Sequence, residues 1–283
     1  MAVKNYKREQ GGKLEIGREL YTKRFALTVD RARCKGCQLC KLVCPKDAIS
    51  RRPQEDLDGK ARPPLVDIDP AKCDFEGICS ASCPFAAITI TVDGSETLPA
   101  VEYDAFPTLT RDITVDAANC EDGCTLCEEK CPLGLIKVDP EAKTVDIQKE
   151  CCSGCQTCWA ECPEEVISVE KFIEGSIDID TSRCPEGCKR CADVCPVHAI
   201  EYEDGEVFAN DYHCIYCGTC MEVCPEEGAI KVERTAIRHS KIESGAWNKG
   251  LEKLTSAAGL QRELAAESAA KALAEHQTRE VEA

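Results

Sequence analysis

The chain has 283 residues with a formal net charge of −16 at pH 7, and 24 of its residues are cysteine. An acidic chain of this kind is not expected to bind nucleic acid or an anionic membrane surface, and it contains no apolar run long enough to span a bilayer. Its polar N-terminus, MAVKNYKR, has no signal core. We therefore expect reduced cysteines and a cytoplasmic protein of an organism living mostly without oxygen, rather than a secreted disulfide framework.

Aromatic residues make up only 5% of the chain, and the apolar fraction of 43% includes the cysteines. A chain of this length normally buries a larger apolar core. We expect metal centres to replace part of that core, and we expect the metal-free form to be largely unfolded.

The first 27 residues differ in character from the rest of the chain. They begin with the basic residues Lys4, Lys7 and Arg8 and continue as LEIGRELY. Residues 1–27 are interpreted as an N-terminal docking arm that packs on a partner subunit or crosses the first cysteine-containing module.

The first cysteine motif has the pattern C-x2-C-x2-C-x3-C-P and comprises Cys34, Cys37, Cys40 and Cys44. Bacterial ferredoxins hold a cubane iron–sulfur cluster with this spacing, because closely spaced thiolates on one loop can meet such a cube on several faces. The fourth cysteine is expected at the start of a short helix, where the following proline is tolerated. Zinc sites use two separated cysteine pairs instead, so the motif predicts an iron–sulfur cluster.

The second motif keeps the same frame but lacks one cysteine. Cys73, Cys79 and Cys83 are present, and Glu76 occupies the second position. A carboxylate is a harder ligand than a thiolate and binds iron less tightly. Three arrangements stay open: Glu76 ligates the fourth iron, the site holds a [3Fe-4S] cluster, or one iron of a four-iron cluster carries water. Ligation by Asp74 and an empty site are further alternatives.

Two polar segments separate the motifs. Residues 51–64, between the first two motifs, are predicted to form an exposed insertion. Residues 93–111 lie in the longest gap between motifs and are interpreted as a linker between modules.

Four further motifs each contain four cysteines and end in Cys-Pro. They are Cys120, Cys124, Cys127 and Cys131; Cys152, Cys155, Cys158 and Cys162; Cys184, Cys188, Cys191 and Cys195; and Cys214, Cys217, Cys220 and Cys224. In the fourth motif Cys151 directly precedes Cys152. The C-x2-C spacing selects Cys152, which we expect to be the ligand, whereas the C-x3-C spacing of the third and fifth motifs would select Cys151.

The last segment, residues 234–283, contains no cysteine and is rich in Ala, Glu, Lys and Leu. Its leucines recur at near-helical spacing, so it is predicted to be a helical C-terminal tail that docks on a partner. A solvated, partly disordered tail is the alternative.

The repetition extends beyond cysteine and predicts the fold. An apolar residue and an aspartate precede most first cysteines, and a short apolar stretch follows each Cys-Pro, so each unit reads as strand, cluster loop, short helix and strand. The predicted fold class is α+β: a tandem array of three two-cluster ferredoxin (βαβ)2 modules, residues 28–92, 112–171 and 172–233. The gap from Cys162 to Cys184 is similar to the gaps within modules, so a nested arrangement stays open.

In two-cluster ferredoxins the fourth cysteine of one motif ligates the cluster of the other motif. Sequential pairing therefore predicts six [4Fe-4S] clusters. Their ligand sets are Cys34, Cys37, Cys40 and Cys83; Cys44, Cys73, Glu76 and Cys79; Cys120, Cys124, Cys127 and Cys162; Cys131, Cys152, Cys155 and Cys158; Cys184, Cys188, Cys191 and Cys224; and Cys195, Cys214, Cys217 and Cys220.

Two stretches, CSASCPFAAI at 79–88 in the second motif and EYDAFPTL at 102–109 in the linker, make the chain resemble the archaeal polyferredoxins of methanogens. Within that group it is most similar to the polyferredoxin subunit of formylmethanofuran dehydrogenase. The resemblance implies transfer of low-potential electrons to or from a tungsten or molybdenum enzyme that interconverts carbon dioxide and the formyl level. Members of that family typically carry more motifs, and a cysteine where this chain has Glu76.

The predicted function is electron transfer within a larger redox complex, without an enzymatic activity of the chain itself. The expected partners are other subunits of the complex and soluble ferredoxin. Alternative complexes are those of a hydrogenase, a heterodisulfide reductase or a formate dehydrogenase. A catalytic iron–sulfur protein that binds substrate at the Glu76 cluster, and a protein that stores electrons, are alternatives of other classes.

Overall fold

A computed structural model of the protein describes residues 4–103, 106–241 and 253–255. Within these residues the chain forms fifteen β-strands and seven short α-helices, and most strands pair antiparallel with one partner. The longest helices have five residues. In this part of the chain, no helix is long and apolar enough to cross a bilayer.

The N-terminal residues form a β-hairpin. Strands β1 (Lys4–Gln10) and β2 (Lys13–Glu19) pair antiparallel, and Gly11 and Gly12 make the turn with φ of 59° and 73°. Glycine adopts this left-handed conformation without a steric penalty. Strand β2 also pairs with β3 (Arg24–Asp30), so the hairpin extends the sheet of the first repeat. The predicted boundary between residues 27 and 28 is therefore wrong, because β3 spans it.

The alternation of apolar and polar residues in β2 explains why the hairpin packs beside β3. Leu14 and Ile16 point to the same face and are almost fully buried, together with Leu27 and Val29 of β3. Burial of such aliphatic side chains contributes about 1.5–3 kcal/mol each. The segment interpreted as a docking arm is thus packed on the first repeat.

Three successive stretches then repeat the order strand, helix, strand, strand, helix, strand. The first comprises β3, α1 (Leu39–Val43), β4 (Ile49–Arg52), β5 (Leu65–Ile68), α2 (Ile78–Ala81) and β6 (Ile88–Val92). Strand β3 pairs with β6, and β4 pairs with β5. A short strand β7 (Ser95–Glu96) follows β6 in the same sheet, and helix α3 (Pro99–Glu102) begins the connection to the second stretch.

The second and third stretches have the same order and pairing. The second comprises β8 (Ile113–Val115), α4 (Leu126–Lys130), β9 (Ile136–Asp139), β10 (Thr144–Ile147), α5 (Thr157–Ala160) and β11 (Ile167–Val169). The third comprises β12 (Ile173–Ile179), α6 (Arg190–Asp193), β13 (Ile200–Glu203), β14 (Glu206–Ala209), α7 (Thr219–Val223) and β15 (Ile230–Ile237). The outer strands pair with each other, as do the inner strands. A nested arrangement would instead interrupt the pairing of one stretch by another.

The short helices stand in a different place from the predicted one. Each lies before the fourth cysteine of its motif, and Cys44, Cys131 and Cys224 are the C-cap residues that directly follow α1, α4 and α7. Proline lacks an N–H and forces the preceding residue into an extended conformation; Cys44 accordingly has ψ of 115°. The Cys-Pro pair therefore ends the helix instead of beginning it.

The segment at residues 51–64 is not a free insertion. Ala61 is buried, and its N–H donates a hydrogen bond of 3.0 Å to Asp193 of the third stretch. Asp56 forms an ion pair with Arg190 of the same stretch. Most residues of the segment are exposed, as predicted, but these two contacts tie it to the third stretch.

One apolar core joins the repeats. It contains Leu39 and Leu42 of the first stretch, Phe172 at the start of the third, and Leu254 near the C-terminus. The predicted tail, 234–283, begins inside β15, so its N-terminal boundary is wrong. Of the remaining tail, residues 242–252 and 256–283 lie outside the described residues.

Candidate metal centres

Four cavities bring together cysteines that are far apart in the chain. Each encloses about 320 to 400 Å³, partly open to solvent, and is lined almost entirely by apolar atoms and sulfur. Site 1 is lined by Cys34, Cys37, Cys40 and Cys83; site 2 by Cys44, Cys73, Glu76 and Cys79; site 3 by Cys120, Cys124, Cys127 and Cys162; and site 4 by Cys131, Cys152, Cys155 and Cys158. Each set combines two motifs.

The third stretch contains two more groups of thiols. In site 5, defined as Cys184, Cys188, Cys191 and Cys224, burial and then the thiols of Cys188 and Cys224 raise the pKa of Cys184. In site 6, defined as Cys195, Cys214, Cys217 and Cys220, burial and then the other three thiols raise the pKa of Cys220. Here too the fourth cysteine of each motif lies beside the first three of the other.

A left-handed residue closes the first turn of each cluster loop. It directly precedes the second position of the motif in all six cases: Gly36 (φ 65°), Phe75 (59°), Gly123 (79°), Gly154 (76°), Gly187 (69°) and Tyr216 (51°). Side chains other than glycine rarely adopt this conformation. Phe75 and Tyr216 are held in it by burial, at 2% and 3% exposure. The turn bends the loop so that its sulfurs converge on one cavity.

A second left-handed turn follows the Cys-Pro pair. Asp47, Ala86, Gly134, Glu165 and His198 have φ between 45° and 62°, each three positions after a fourth cysteine. In four of these turns the next N–H points at the cysteine sulfur. The bonds are Ala48 to Cys44 (3.4 Å), Ala87 to Cys83 (3.3 Å), Leu135 to Cys131 (3.4 Å) and Ala199 to Cys195 (3.2 Å). Such N–H groups stabilise negative charge on sulfur.

The sixth motif departs from this turn. It reads Cys-Pro-Glu-Glu-Gly, with one residue more than the others, and Gly228 takes the left-handed position with φ of 76°. The Cys224 sulfur lies 3.4 Å from the carbonyl oxygen of Glu226. This insertion was not predicted, although Ile230 stands six positions after Cys224 and the corresponding isoleucine stands five positions after the fourth cysteine in the other motifs.

Burial disfavours the thiolate form of the cysteines in the sites. Burial, the largest cause, raises the pKa of Cys73 and Cys152 to about 11 and that of Cys158 and Cys214 to about 12. Neighbouring thiols raise these pKa values further. Metal coordination deprotonates a thiol outright and removes this cost. Four soft ligands around one cavity, with N–H groups aimed at sulfur, fit the requirements of an iron–sulfur cluster.

The cysteine side chains are not arranged around a single metal ion. Among the described residues, no group of three or more His, Cys, Asp or Glu side chains is arranged to hold one metal ion. Ligands of a tetrahedral zinc would have sulfurs about 3.8 Å apart, given Zn–S bonds of about 2.3 Å. The sulfurs are distributed around cavities instead.

Site 2 contains the only carboxylate that takes a motif position. Glu76 lines the same cavity as Cys44, Cys73 and Cys79, although the residue as a whole is exposed. Its carbonyl oxygen accepts a hydrogen bond of 2.8 Å from the N–H of Ala100 in α3. Asp74 also lines the cavity but forms an ion pair of 2.9 Å with Lys46.

The fourth motif uses its second cysteine for the cavity. Cys152 lines site 4, whereas Cys151 ends a 3₁₀ turn (Lys149–Cys151) and is buried beside it. The two candidates thus differ in position.

This difference gives a direct test. Cys152→Ser should remove one cluster's worth of iron and acid-labile sulfide, because serine replaces a soft ligand. Cys151→Ser, the matched control, should retain the full content. Quantitative iron and sulfide analysis of the anoxically prepared variants measures both, and equal losses in the two variants would contradict the assignment.

Sites 1, 4 and 6 lie next to one another where the three stretches meet. The N–H of Gln38 donates to the carbonyl oxygen of Cys217 (3.4 Å), which links site 1 to site 6. Arg111 donates to the carbonyl oxygens of Cys152 (3.0 Å) and Cys83 (3.1 Å), which links site 4 to site 1. We call sites 1, 4 and 6 the inner sites and sites 2, 3 and 5 the outer sites.

A third contact closes the arrangement. His213 Nδ1 lies 3.1 Å from the carbonyl oxygen of Cys155, which links site 6 to site 4. These contacts were not predicted, because Gln38 is not a ligand of its motif and Arg111 and His213 lie outside the motifs. One signal was available: Arg111 and Lys171 are basic residues two positions before the first strands of their stretches, β8 and β12.

Two segments of the chain match the family described as the 4Fe-4S dicluster domain, residues 33–87 and residues 176–225. A chain in the solved formate dehydrogenase–heterodisulfide reductase–formylmethanofuran dehydrogenase complex from Methanospirillum hungatei is 30% identical, with a TM-score of 0.80. That match covers 89% of this chain and 91% of the other.

A shorter match joins the chain to NADH-quinone oxidoreductase subunit I 2 of Geobacter metallireducens. The two are 34% identical over 61 residues, which is 22% of this chain and 47% of the relative. The chain therefore spans about half the length of that curated relative.

Proposed function

Since the chain belongs to the iron–sulfur proteins that carry 4Fe-4S dicluster domains, we propose that it binds six clusters and relays low-potential electrons as a subunit of a larger redox complex. The observation that carries this proposal is the contact between the inner sites. Through it, six sets of ligands in three repeats form one connected array. We propose that the repeats are three two-cluster modules in tandem and that the protein works in the cytoplasm.

The proposed ligands are the 23 cysteines and one glutamate that define sites 1 to 6. Cys151 is the only remaining cysteine. Each set takes ligands from both motifs of one repeat. We therefore propose that the clusters also stabilise the fold, because each one links the two motifs. When bound, each cluster accepts and releases one electron at a time.

The chain's own groups prepare each site for this chemistry. Backbone N–H groups of Ala48, Ala87, Leu135 and Ala199 donate to ligand sulfurs and stabilise their negative charge. Apolar side chains such as Leu39 and Val66 line the cavities and keep water from the sulfurs. Hydrogen bonds to sulfur and exclusion of solvent are the levers that set cluster potentials.

We propose that Glu76 completes site 2 by ligating the fourth iron, with a [3Fe-4S] cluster as the alternative. Its presence in the lining of the cavity and the ion pair that occupies Asp74 favour Glu76 over Asp74. An exposed carboxylate also leaves this corner more exchangeable than a thiolate would.

Glu76→Cys tests this ligand. We expect a changed electron paramagnetic resonance signal for one cluster and slower loss of iron from that cluster in air, because a thiolate binds iron more tightly. Asp74→Cys is the matched control and should leave the spectrum as it is. An unchanged spectrum in Glu76→Cys would contradict ligation by Glu76.

The complex is proposed to be that of formylmethanofuran dehydrogenase. Two observations support this: the stretches at 79–88 and 102–109, and the match to a chain of the Methanospirillum complex that contains that enzyme. The same solved complex names formate dehydrogenase and heterodisulfide reductase, which are the alternative partners. A reaction catalysed at the site 2 corner is the alternative of another class.

Anoxic purification of the native complex, followed by identification of its subunits, tests the partner assignment. Stopped-flow reduction of the isolated chain, with iron and sulfide analysis, tests the relay itself. A chain without acid-labile sulfide would overturn the relay, and substrate turnover by the isolated chain would favour the catalytic alternative.

A further inference from the structure

Arg111 stands between sites 1 and 4. Besides its hydrogen bonds to the carbonyl oxygens of Cys83 and Cys152, its guanidinium lies 5.1 Å from the ring centroid of Phe172. Burial lowers the pKa of Arg111, and the thiols of Cys152 and Cys83 act against that change. One cation thus contacts a ligand loop in each of two repeats.

Arg234, in β15, stands between sites 1 and 6. It is only 5% exposed, and its Nε donates a hydrogen bond of 2.7 Å to the carbonyl oxygen of Tyr216. Its Nη2 atom is buried and has no hydrogen-bond partner among the described residues. Burial lowers the pKa of Arg234, whereas the thiols of Cys217 and Cys37 raise it.

Lys171 stands between sites 4 and 6. Its Nζ donates to the carbonyl oxygens of Cys214 (3.0 Å) and Asp211 (2.9 Å) and lies 5.0 Å from the ring centroid of Tyr216. Burial lowers the pKa of Lys171, and the thiol of Cys214, the carboxylate of Asp211 and the thiol of Cys155 counteract this effect. Each pair of inner sites therefore has one cation between its two members.

Within the part of the chain that the structure describes, these three cations form no ion pair with a carboxylate. Other basic residues do pair: Arg51 with Glu222, Arg190 with Asp56, and Arg238 with Glu170. An unpaired buried cation is costly unless negative charge lies nearby. An oxidised four-iron cluster with four thiolates carries about −2 in total, and its ligands lie beside all three cations.

The position of the cations has a consequence for electron distribution. Burial alone would lower the reduction potential of the inner sites, because a dry environment disfavours added negative charge. A fixed positive charge favours the reduced form and opposes this effect. At the outer sites, the cation shared between repeats is Arg190 beside Cys191 of site 5, and its charge is paired with the carboxylate of Asp56.

We propose that Arg111, Lys171 and Arg234 are positioning residues that hold the three inner clusters at higher reduction potential than the outer clusters. An electron that enters at any outer site then moves to the junction of the three repeats, and no bond breaks and no proton moves in this step. The inference rests on the proposed function, since it requires all six clusters.

The test is an anoxic redox titration of the full-length reconstituted protein, followed by electron paramagnetic resonance. In the wild-type chain, three clusters should be reduced ahead of the other three. In Arg111→Gln, Lys171→Gln and Arg234→Gln, the ratio of reduced to oxidised inner clusters at a fixed potential should fall about tenfold, which is about 59 mV for a one-electron couple. The charge-conserving variants Arg111→Lys, Lys171→Arg and Arg234→Lys should restore most of the ratio.

Lys137→Gln is the control, because Lys137 is exposed and paired with Glu128. It should leave the titration unchanged. Lys171→Gln is the decisive variant if an arginine variant loses iron, since Lys171 is the least buried of the three. Unchanged potentials in a Lys171→Gln protein with six clusters, or a wild-type chain without an early group of three, would overturn the inference. A chain without acid-labile sulfide would instead overturn the proposed function.

Discussion

Removal of iron should unfold the second repeat, residues 112–171, before the first. The apolar core of the second repeat consists of Ile113, Ile136, Cys158, Ile167 and Val169. So few buried side chains do not offset the conformational entropy of about 60 residues without bound metal. We therefore expect the clusters proposed for sites 3 and 4 to supply most of the stability of this repeat.

The first repeat has a larger apolar core, which does not depend on metal. Its buried cluster has twelve members, among them Leu14 and Ile16 from the hairpin, Leu27 of β3 and Ile90 of β6. We therefore expect strands β3 and β6 to keep part of their amide protection when iron is removed. In β9 and β10, protection should fall by about 100-fold or more, which is about 2.8 kcal/mol.

Hydrogen exchange resolved by peptide measures this difference during anoxic treatment with a chelator and a mild oxidant. Protein handled in the same way without the chelator is the control, and the amides of the β1–β2 hairpin are an internal reference. Simultaneous loss of protection in both repeats would contradict the expected order. Retained protection in β9 and β10 would contradict the role of the clusters in folding.

Gly36→Ala should abolish site 1. Gly36 has φ of 65°, and a Cβ added there would lie 2.5 Å from the carbonyl oxygen of Pro64 and 2.8 Å from its Cδ. The left-handed conformation alone costs about 1–2 kcal/mol for a residue with a Cβ, and the clash adds about 1–3 kcal/mol. The loop would open, and Cys34 and Cys37 would move away from Cys40 and Cys83.

Gly123→Ala is the matched control for that substitution. Gly123 also directly precedes the second cysteine of its motif and has φ of 79°, but a Cβ there would meet nothing within 4 Å. Gly123→Ala should lower the free energy of unfolding only by the cost of the left-handed conformation, and site 3 should be retained. Iron content and the midpoint of denaturant unfolding measure both variants, and equal effects would show that the Pro64 contact does not matter.

The grouping of the cysteines could be predicted because cluster ligation fixes the spacing of the cysteines along the chain. The packing of an apolar core restricts the identity of its side chains much less. A slip of one residue moves a sulfur out of the cavity, whereas an apolar core tolerates many substitutions. The same logic explains why Cys152, and not Cys151, could be favoured from spacing alone. Strand pairing within each stretch follows from the same local repetition.

Other features could not be obtained from the motifs. The ion pair between Asp56 and Arg190 and the hydrogen bond from Ala61 to Asp193 join residues more than 130 positions apart. Nothing local in the sequence specifies such partners. The hairpin, in contrast, had a readable signal, because Gly11-Gly12 between alternating segments is a typical two-residue turn.

The hairpin also changes which backbone groups of the sheet remain open to pairing with another molecule. Without it, β3 would present an unpaired row of N–H and C=O groups beside the first cluster. With it, β1 becomes the edge strand, and charged residues follow it: Lys4, Lys7, which pairs with Asp67, and Arg8, which pairs with Glu15. Charged edge strands discourage edge-to-edge association. The hairpin therefore protects the sheet of the first repeat from pairing with a second copy of the chain.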